Sequence, residues 1–224
     1  IDDGSRDDAC LEIARAALAE MPGVVVHRFD ANRGKRHAQG YAFARTASDI
    51  VVTVDSDTVL DASAIAEGLR PFGDPKVTAV AANVRALNHR RNLLTRLIDM
   101  RYANAFLFER AAYSTVGSVV CCCGSLSFFR TAVVRRHLDD FLHQSFLGIQ
   151  VQYGDDRRLT QYALQDGLVR LQDTAVAYTL VPETLGHYRR QQLRWNRSFF
   201  RESLWAIQRF GPRRWPFWIS VAEL

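Results

Sequence analysis

Apolar and polar positions along the first half of the chain fall into alternating helix-like and strand-like segments. Helical spacing of apolar side chains occurs over residues 7–21, 34–46 and 61–72, and short apolar runs occupy residues 24–26, 50–54 and 77–82. The run at 50–54 is rich in β-branched residues and almost free of polar ones, which is typical of a buried parallel strand. The alternation predicts an α/β fold with a mostly parallel sheet flanked by helices.

The second half of the chain is less regular but contains the same two kinds of segment. Its pattern predicts helices over residues 93–112, 156–165 and 183–209, the last one amphipathic, and extended segments over 119–130 and 174–179. Glycine and proline are sparse, and the chain has neither an internal repeat nor a low-complexity tract. A length of 224 residues then predicts one globular domain, which we place at residues 1–212.

The two ends of the chain indicate a piece of a longer protein. The chain opens without Met on Ile1-Asp2-Asp3-Gly4-Ser5, which has the pattern of a strand end and its loop. Residues 213–224 begin with Arg-Arg-Trp-Pro-Phe-Trp, and basic residues beside Trp and Phe are typical of the water–lipid boundary. No apolar run is long enough to cross a bilayer. We therefore expect an N-terminally truncated fragment that ends in a membrane-interface helix or the start of a transmembrane segment.

The net charge of +5 is concentrated towards the C-terminus. Between residues 186 and 214 the chain has eight arginines and a single acidic residue, Glu202. Such a block suits phosphate groups, whether they belong to a nucleotide, a nucleic acid or an anionic membrane surface. The alternative is a solvated face of a helix that binds nothing.

Three of the four cysteines are consecutive, at residues 121–123. Adjacent cysteines suit neither a disulfide framework nor a zinc site with its usual ligand spacing. They indicate a reducing environment and a tightly packed strand or loop.

Acidic residues follow two of the predicted strands. Asp3 comes after the strand end at the start of the chain, and Asp55 and Asp57 follow the apolar run at 50–54. Ligands bind at the carboxyl ends of strands in sheets of this kind. Carboxylates are hard ligands for a divalent cation, and such a cation can stabilise a departing pyrophosphate. We expect Asp57 to bind the metal directly and Asp55 to contact it through water or to contact the nucleoside. A turn of solvated acids is the alternative.

A second acidic pair, Asp155 and Asp156, opens a predicted helix behind Gly154. A transfer reaction to a hydroxyl group can use a carboxylate beside that hydroxyl, opposite the leaving group, as its general base, and Asp156 is the best candidate for this role. The same two residues could instead cap the helix. We expect one of them to have a capping role, but not both.

Gln191-Gln192-Leu193-Arg194-Trp195 supplies the remaining chemistry. An arginine presents a rigid fork of donors to a phosphate, so Arg194 suits a pyrophosphate. Trp195 offers an apolar face for a sugar ring, and Gln191 and Gln192 can hydrogen-bond hydroxyl groups. Lys35, in a loop that enters a helix, is placed for a diphosphate or a base.

These residues resemble those of the processive, inverting glycosyltransferases that include hyaluronan, chitin and cellulose synthases, and within them the bacterial class I hyaluronan synthases most. The resemblance covers nearly the whole chain in family order, through the stretches IDDGSRD, NRGKRHAQ, VVTVDSDT, CCCGSLSFFR, HQSFLGIQVQYGDDRRLT and VPETLGHYRRQQLRWNRSFFRES. It implies a glycosyltransferase-A fold on the cytoplasmic face of the cell membrane, membrane lipids as partners, and a Mg²⁺ or Mn²⁺ ion.

The family roles can be carried over by position. They imply that Asp3 and Lys35 hold the uridine part of a UDP-sugar donor, and that Asp55 and Asp57 hold the nucleotide and the metal. Asp156 would be the base. In the motif at residues 191–195, Arg194 would hold the pyrophosphate, and Trp195 would line the site of the growing polysaccharide.

Two products remain open, because the motifs point in different directions. The stretches FLGIQVQYGDDR and RWNRSFFRES favour hyaluronan, made from UDP-GlcNAc and UDP-GlcUA. The triple cysteine favours chitooligosaccharide synthases, which use UDP-GlcNAc only. The chain also has Gly124-Ser125 where the family has Gly-Pro, which frees the backbone of that loop.

Two other classes compete with this interpretation. A Gly-Asp-Asp triplet also occurs in RNA-dependent RNA polymerases, but the chain is far too short for one and the triplet here opens a helix, so we expect no nucleic-acid partner. An inactive sugar-nucleotide-binding or membrane-binding module would be expected to lack one of the acidic or QxxRW positions. None is lost here.

Overall fold

A computed structural model describes all 224 residues. The first part of the chain contains three helices and three strands. In chain order they are α1 (Ala9–Leu18), α2 (Lys35–Arg45), β1 (Ile50–Val54), β2 (Thr58–Leu60), α3 (Ala64–Leu69), a 3₁₀ turn (Arg70–Gly73) and β3 (Val77–Ala86).

The second part contains seven helices and four strands. It continues with α4 (Leu93–Asn104), a π-helical segment (Ala105–Glu109), α5 (Arg110–Thr115), β4 (Leu126–Arg130), α6 (Thr131–Arg136), α7 (Leu138–Leu142), β5 (Ser145–Phe146), β6 (Ile149–Gln150), α8 (Asp155–Asp166), β7 (Leu168–Thr179), α9 (Leu185–Phe210) and α10 (Trp215–Glu223).

The central sheet has five strands in the order β1-β4-β3-β7-β2. Strands β3 and β7 pair in parallel, whereas β1 with β4, β3 with β4 and β2 with β7 pair in antiparallel fashion. Strands β1, β3 and β7 therefore run in the same direction, and β4 and β2 run against them. The predicted α/β class is confirmed, with a mixed sheet in which three of five strands share one direction.

Strand β3 shows why helices must cover both faces of this sheet. Its side chains alternate between two apolar clusters, with Ala79 and Ala81 on one face and Val80, Ala82 and Val84 on the other. The first cluster is completed by helices α2, α6, α8 and α9, and the second by α3 and the π-helical segment. Burial on both faces removes the polar alternation of a one-sided strand.

Several sequence predictions differ from the structure. The run predicted as a strand at 24–26 forms none, and Val24 and Val25 are 44% and 79% exposed. The only strand-like pairing near this run is a single bridge between Asp2 and Arg28. The predicted helix over 93–112 is interrupted by the π-helical segment, and the extended stretch over 119–130 is a strand only from Leu126 onwards. The predicted strand over 174–179 is the second half of the longer β7.

The C-terminal helices pack against the domain. Helix α9 begins where the Thr184 hydroxyl accepts the backbone N–H of His187, and it runs for 26 residues. Helix α10 places Ile219 in the main apolar cluster while Trp215 and Trp218 remain 59% and 53% exposed. None of the helices combines the length and the hydropathy that a bilayer-spanning segment requires.

Candidate active site

The Asp55–Asp57 turn directly follows the carboxyl end of β1. Its backbone is closed by a hydrogen bond from the Thr58 N–H to the Asp55 carbonyl, at 3.1 Å. Asp57 is exposed, and its one side-chain contact is a 3.5 Å hydrogen bond from the Thr179 hydroxyl at the end of β7. The Asp57 carboxylate thus follows the carboxyl end of β1 and contacts the carboxyl end of β7, and it is free to take up another ligand.

Lys35, the first residue of α2, joins the two acidic motifs. Its ammonium group forms an ion pair with Asp55 and lies 3.6 Å from an oxygen of Asp155. Partial burial disfavours the charged form of Lys35, but the negative charges of Asp155 and Asp55 outweigh that effect and raise the pKa of its ammonium group. Lys35 therefore stays charged and holds Asp55 and Asp155 close together.

Gly124 explains how closely this ion pair is enclosed. A Cβ atom at position 124 would lie 2.8 Å from both the Lys35 Nζ and an Asp55 oxygen, closer than van der Waals contact allows. Only a glycine fits behind the Lys35–Asp55 pair without displacing it. The sequence signal for this close approach is the glycine that follows the three cysteines.

Asp3 organises the loop that leads into α2. Its two carboxylate oxygens accept the backbone N–H groups of Arg33 and Gly34, each at 2.8 Å. These bonds fix the turn from which Lys35 emerges. Each Asp3 oxygen retains a second lone pair that a ligand donor could use.

Asp156 lies in the first turn of α8, half-buried beside the triple-cysteine loop. One of its oxygens accepts the backbone N–H of Arg157 at 2.8 Å, and the other lies 3.9 Å from the Cys121 sulfur. Burial, reinforced by the neighbouring charge of Asp155, raises the pKa of the Asp156 carboxyl. Gly154 occupies the N-cap position and no side chain caps the helix, so the expectation that one of the two aspartates is the cap was wrong. A carboxylate with increased proton affinity is suited to general-base chemistry.

The cysteines themselves are packed, as the sequence predicted. Cys121 and Cys122 are buried, and none of the four cysteines forms a disulfide. Burial raises the pKa of the Cys121 thiol to about 12, so at neutral pH this thiol is protonated and can only donate towards Asp156.

Helix α9 carries the QQLRW residues along one side of the site. Arg194 is exposed, and its guanidinium carbon lies 5.8 Å from the centre of the Tyr153 ring. Trp195 is 38% exposed. Gln191 is half-buried, and the side-chain oxygen of Gln192 accepts a 2.8 Å hydrogen bond from Arg101 of α4.

The turn before Asp156 is held directly against α9. Gly154 has a φ of +90°, and a Cβ there would come within 2.7 Å of the Cβ of Ser198. Arg201 of α9 also donates to the backbone carbonyl of Tyr153. Both the left-handed backbone and the lack of space therefore require glycine at this position.

The structure thus brings part of the predicted site together. Asp3, Lys35, Asp55 and the Asp155–Asp156 pair form one cluster, and Arg194 adjoins it through Tyr153. Trp195, Gln191 and Gln192 lie on the same helix but do not contact the acidic cluster. Sequence reasoning missed the site residues whose role depends on packing, namely Gly124, Cys121, Tyr153 and Thr179.

The residues at the β1 turn fit a divalent cation only in combination with a ligand. No group of three or more His, Cys, Asp or Glu side chains is arranged to hold a metal. Asp57 is exposed, and Asp55 has one oxygen outside its ion pair with Lys35. Mg²⁺ is commonly bound by one or two carboxylates together with substrate phosphates and water, and Asp55 and Asp57 supply such a partial set.

Comparison with known proteins gives one family and two kinds of relative. Residues 2–198 match the family described as glycosyltransferase like family 2. The chain is 45% identical over 213 residues to a hyaluronan synthase of Streptococcus pyogenes, which covers 93% of the chain and 51% of the relative. It is 39% identical over 209 residues to an N-acetylglucosaminyltransferase of Azorhizobium caulinodans, covering 93% and 53%. The chain spans about half the length of these curated relatives.

Solved structures agree with the fold. The mannosyltransferase PcManGT from Pyrobaculum calidifontis, in complex with GDP-Man and Mn²⁺, matches with a TM-score of 0.72 at 22% identity, covering 99% of this chain and 58% of that one. Residues 1–349 of S. aureus TarS in complex with UDP-GlcNAc match with a TM-score of 0.57 at 17% identity, covering 84% and 50%. These likenesses confirm the glycosyltransferase-A fold.

Proposed function

The chain belongs to the family described as glycosyltransferase like family 2, and we propose that it is the catalytic domain of a membrane-associated, processive, inverting hyaluronan synthase. In this proposal it transfers sugar from UDP-GlcNAc and UDP-GlcUA to a growing polysaccharide. The observation that carries the proposal is the cluster in which Lys35 joins Asp55 to Asp155, directly beside the half-buried Asp156. This cluster supports the proposal, because the donor-binding groups and the proton-accepting group would then lie side by side.

The donor is held at the carboxyl end of β1. Asp3 and Lys35 bind the uridine part, and Asp55 contacts the nucleotide. Asp57 and Asp55 would hold Mg²⁺ or Mn²⁺, and the Mn²⁺ in the structural relative with GDP-Man supports a divalent ion in this fold. When bound, such an ion neutralises charge that develops on the leaving pyrophosphate. The exposed Asp57 carboxylate and the second oxygen of Asp55 support this assignment.

Asp156 acts as the general base. Its carboxylate takes the proton from the attacking hydroxyl group of the acceptor, on the side opposite the departing UDP, so the new glycosidic bond has inverted configuration. Burial and the charge of Asp155 support this role, because both raise the proton affinity of Asp156. The Cys121 thiol, which stays protonated, helps to hold one carboxylate oxygen in place.

Helix α9 serves the pyrophosphate and the acceptor. Arg194 donates to the pyrophosphate, and its exposed guanidinium beside Tyr153 is near enough to the Asp156 turn for this task. Trp195 stacks on the acceptor sugar, and its partly exposed ring is available for that contact. Gln191 and Gln192 hydrogen-bond acceptor hydroxyl groups, with Gln192 kept in place by Arg101.

Hyaluronan is preferred over a polymer of one sugar for a specific reason. The chain is 45% identical to the hyaluronan synthase and 39% identical to the N-acetylglucosaminyltransferase over almost the same length. The alternative is a chitooligosaccharide or chitin synthase that uses UDP-GlcNAc only, and the triple cysteine supports that reading.

Membrane association is proposed from the surface of α10. Trp215 and Trp218 are exposed beside Arg213, and such residues favour the boundary between water and lipid. The catalytic domain then lies on the cytoplasmic face of the cell membrane, where UDP-sugars are available, and the lipids contact residues 213–224.

The enzyme class is tested by the release of UDP. Membranes from cells that produce the full-length protein are given UDP-GlcNAc and UDP-GlcUA, with Mg²⁺ or with a chelator, and UDP is measured. The proposal predicts UDP release that requires the divalent cation and is absent in the Asp156→Asn variant. Release that is unaffected by both the chelator and Asp156→Asn would contradict it.

A further inference from the structure

Glu202 of α9 is completely buried, which is exceptional for a carboxylate. One of its oxygens accepts hydrogen bonds from the Gln144 amide and the Arg201 Nε, each at 2.8 Å. The Nε of Arg158, itself only 4% exposed, lies 2.8 Å from the other oxygen as an ion pair. A buried charge is tolerated only with such partners, so Glu202 depends on all three.

The three partners come from three different parts of the site. Gln144 lies in the segment between α7 and β5, Arg158 lies in α8 two residues after Asp156, and Arg201 lies beside Glu202 in α9. The Arg158 guanidinium also lies over the ring of Trp205, 4.1 Å from its centre. Glu202 thus joins α8, α9 and the segment before β5 through polar contacts.

The same contacts fix the turn that precedes Asp156. Arg201 donates to the Tyr153 carbonyl and to Glu202 at the same time, and Gly154 fits against Ser198 without space for a side chain. These contacts hold the turn against α9, and α9 carries Arg194 and Trp195. Loss of the Glu202 contacts is expected to loosen this attachment and to shift the base relative to these two residues.

Apolar packing alone does not explain this arrangement. Ala206 and Phe210 already anchor the second half of α9 in the main apolar cluster. A leucine in place of Glu202 would pack as well in an apolar site, whereas the carboxylate imposes the directions and lengths of its polar contacts. The charge network therefore serves to position α9 and the turn before Asp156, and apolar packing is enough to hold the helix on the domain.

We propose that Glu202 is a positioning residue, which sets the distance between Asp156 and the Arg194–Trp195 segment during sugar transfer. This rests on the proposed function, because it assigns the consequence of the network to the transfer step. Asp3, Lys35 and Asp55 are outside the network, so donor binding depends on Glu202 much less than the rate of transfer does.

The test compares Glu202→Gln with Glu67→Gln in the full-length protein. Glu67 is a matched control, because it also accepts hydrogen bonds from three side chains, but it does so on α3, away from the network. Glu202→Gln keeps the shape and removes the charge. We expect a kcat for transfer at least about tenfold lower, as misplacement of reacting groups produces. The KM for the UDP-sugars should stay within about threefold of the parent, and the Glu67→Gln variant should match the parent in both.

A purely structural role gives a different result. If Glu202→Gln only reduces the amount of folded protein, UDP binding capacity and activity fall in the same proportion, and kcat per UDP-binding site is unchanged. That outcome overturns the proposal, as does an unchanged kcat in a folded variant. An inactive parent would refute the proposed function as well, whereas an active parent with an equally active variant refutes only the role of Glu202.

Two milder variants decide the case if Glu202→Gln does not fold. Gln144→Met removes one donor and keeps the volume, and Arg201→Lys keeps the charge but cannot bond Glu202 and the Tyr153 carbonyl together. Both should lower kcat at unchanged donor KM. A folded Glu202→Asp variant should have a kcat between those of Glu202→Gln and the parent. Parent-like kcat in both milder variants would overturn the proposal.

Discussion

The ammonium nitrogen of Lys35 lies 3.6 Å from a carboxylate oxygen of Asp155 while it also pairs with Asp55. One cation therefore links the turn after β1 to the start of α8. The negative charges of Asp155 and Asp55 stabilise the Lys35 ammonium and raise its pKa despite partial burial. In the proposed function, a donor that enters between these elements meets a lysine that is charged at any physiological pH. The two acidic motifs are thus joined into one cluster.

The first prediction concerns Asp57. Asp57→Asn should abolish transfer, because a neutral amide is a poor ligand for a hard divalent cation, and added Mn²⁺ should restore only part of the rate. UDP release is measured against Mn²⁺ concentration. Asp173→Asn is a matched control, since Asp173 is exposed on β7 and away from the site. Parent-like, metal-dependent turnover in Asp57→Asn would refute the assignment.

The second prediction concerns the base. Asp156→Asn should lower the transfer rate by about 10²–10⁴-fold, the usual contribution of a positioned base, while UDP binds about as well as to the parent. The measurements are polymer formation and UDP affinity on the same preparation. If Asp155→Asn is the inactive variant and Asp156→Asn stays active, the base has been assigned to the wrong carboxylate.

The third prediction concerns pH. The Asp156 carboxylate must be ionised to act as a base, and its pKa is raised above the ordinary Asp value of 3.8 by burial and by Asp155. Activity should therefore fall, as the pH is lowered, at a higher pH than an ordinary aspartate would give. Asp155→Asn removes the negative charge of Asp155, which is the second cause of the raised pKa. It should therefore move this acid limb of the kcat profile to lower pH. An unmoved limb in a folded Asp155→Asn variant would contradict the account.

The fourth prediction separates Arg194 from Trp195. Neighbouring helix positions point roughly 100° apart, so the two side chains can serve different substrates. Arg194→Ala should weaken UDP inhibition roughly tenfold and slow all transfer, because a charge-assisted hydrogen bond is lost at an exposed position. Trp195→Ala should spare UDP binding and shorten the product. A Trp195→Ala variant that loses thermal stability and UDP binding together would instead indicate a packing role.

Local patterns were enough for much of the fold. The apolar run at 50–54 became β1 with the predicted bounds, and the amphipathic pattern over 183–209 became α9 within two residues at either end. The run at 24–26 failed because apolar character makes a strand only where a partner strand covers it, and Val25 remains 79% exposed. The first half of β7 was missed because its pairing with β3 joins residues far apart in the chain.

The residues of the candidate site also fall into those that local sequence patterns identify and those that only the fold brings together. Side chains whose chemistry is visible in a motif, such as Asp55 and Asp156, were identified from sequence as candidates. Residues whose role arises from packing were not, and Glu202 is the clearest case, because the sequence showed it only as one acid among many arginines. That it is buried opposite Arg158 follows from how α8 and α9 cross, which no local pattern encodes.

The most direct test of the central claim is analysis of the product made by the full-length protein in membranes. UDP-GlcNAc is supplied with and without UDP-GlcUA, and the polymer is examined for its size and sugar composition. We predict that a long polymer forms only when both donors are present and that it contains the two sugars in equal amounts. A polymer or oligomer of GlcNAc made from UDP-GlcNAc alone, with no incorporation of GlcUA, would contradict the account and identify a chitooligosaccharide or chitin synthase instead.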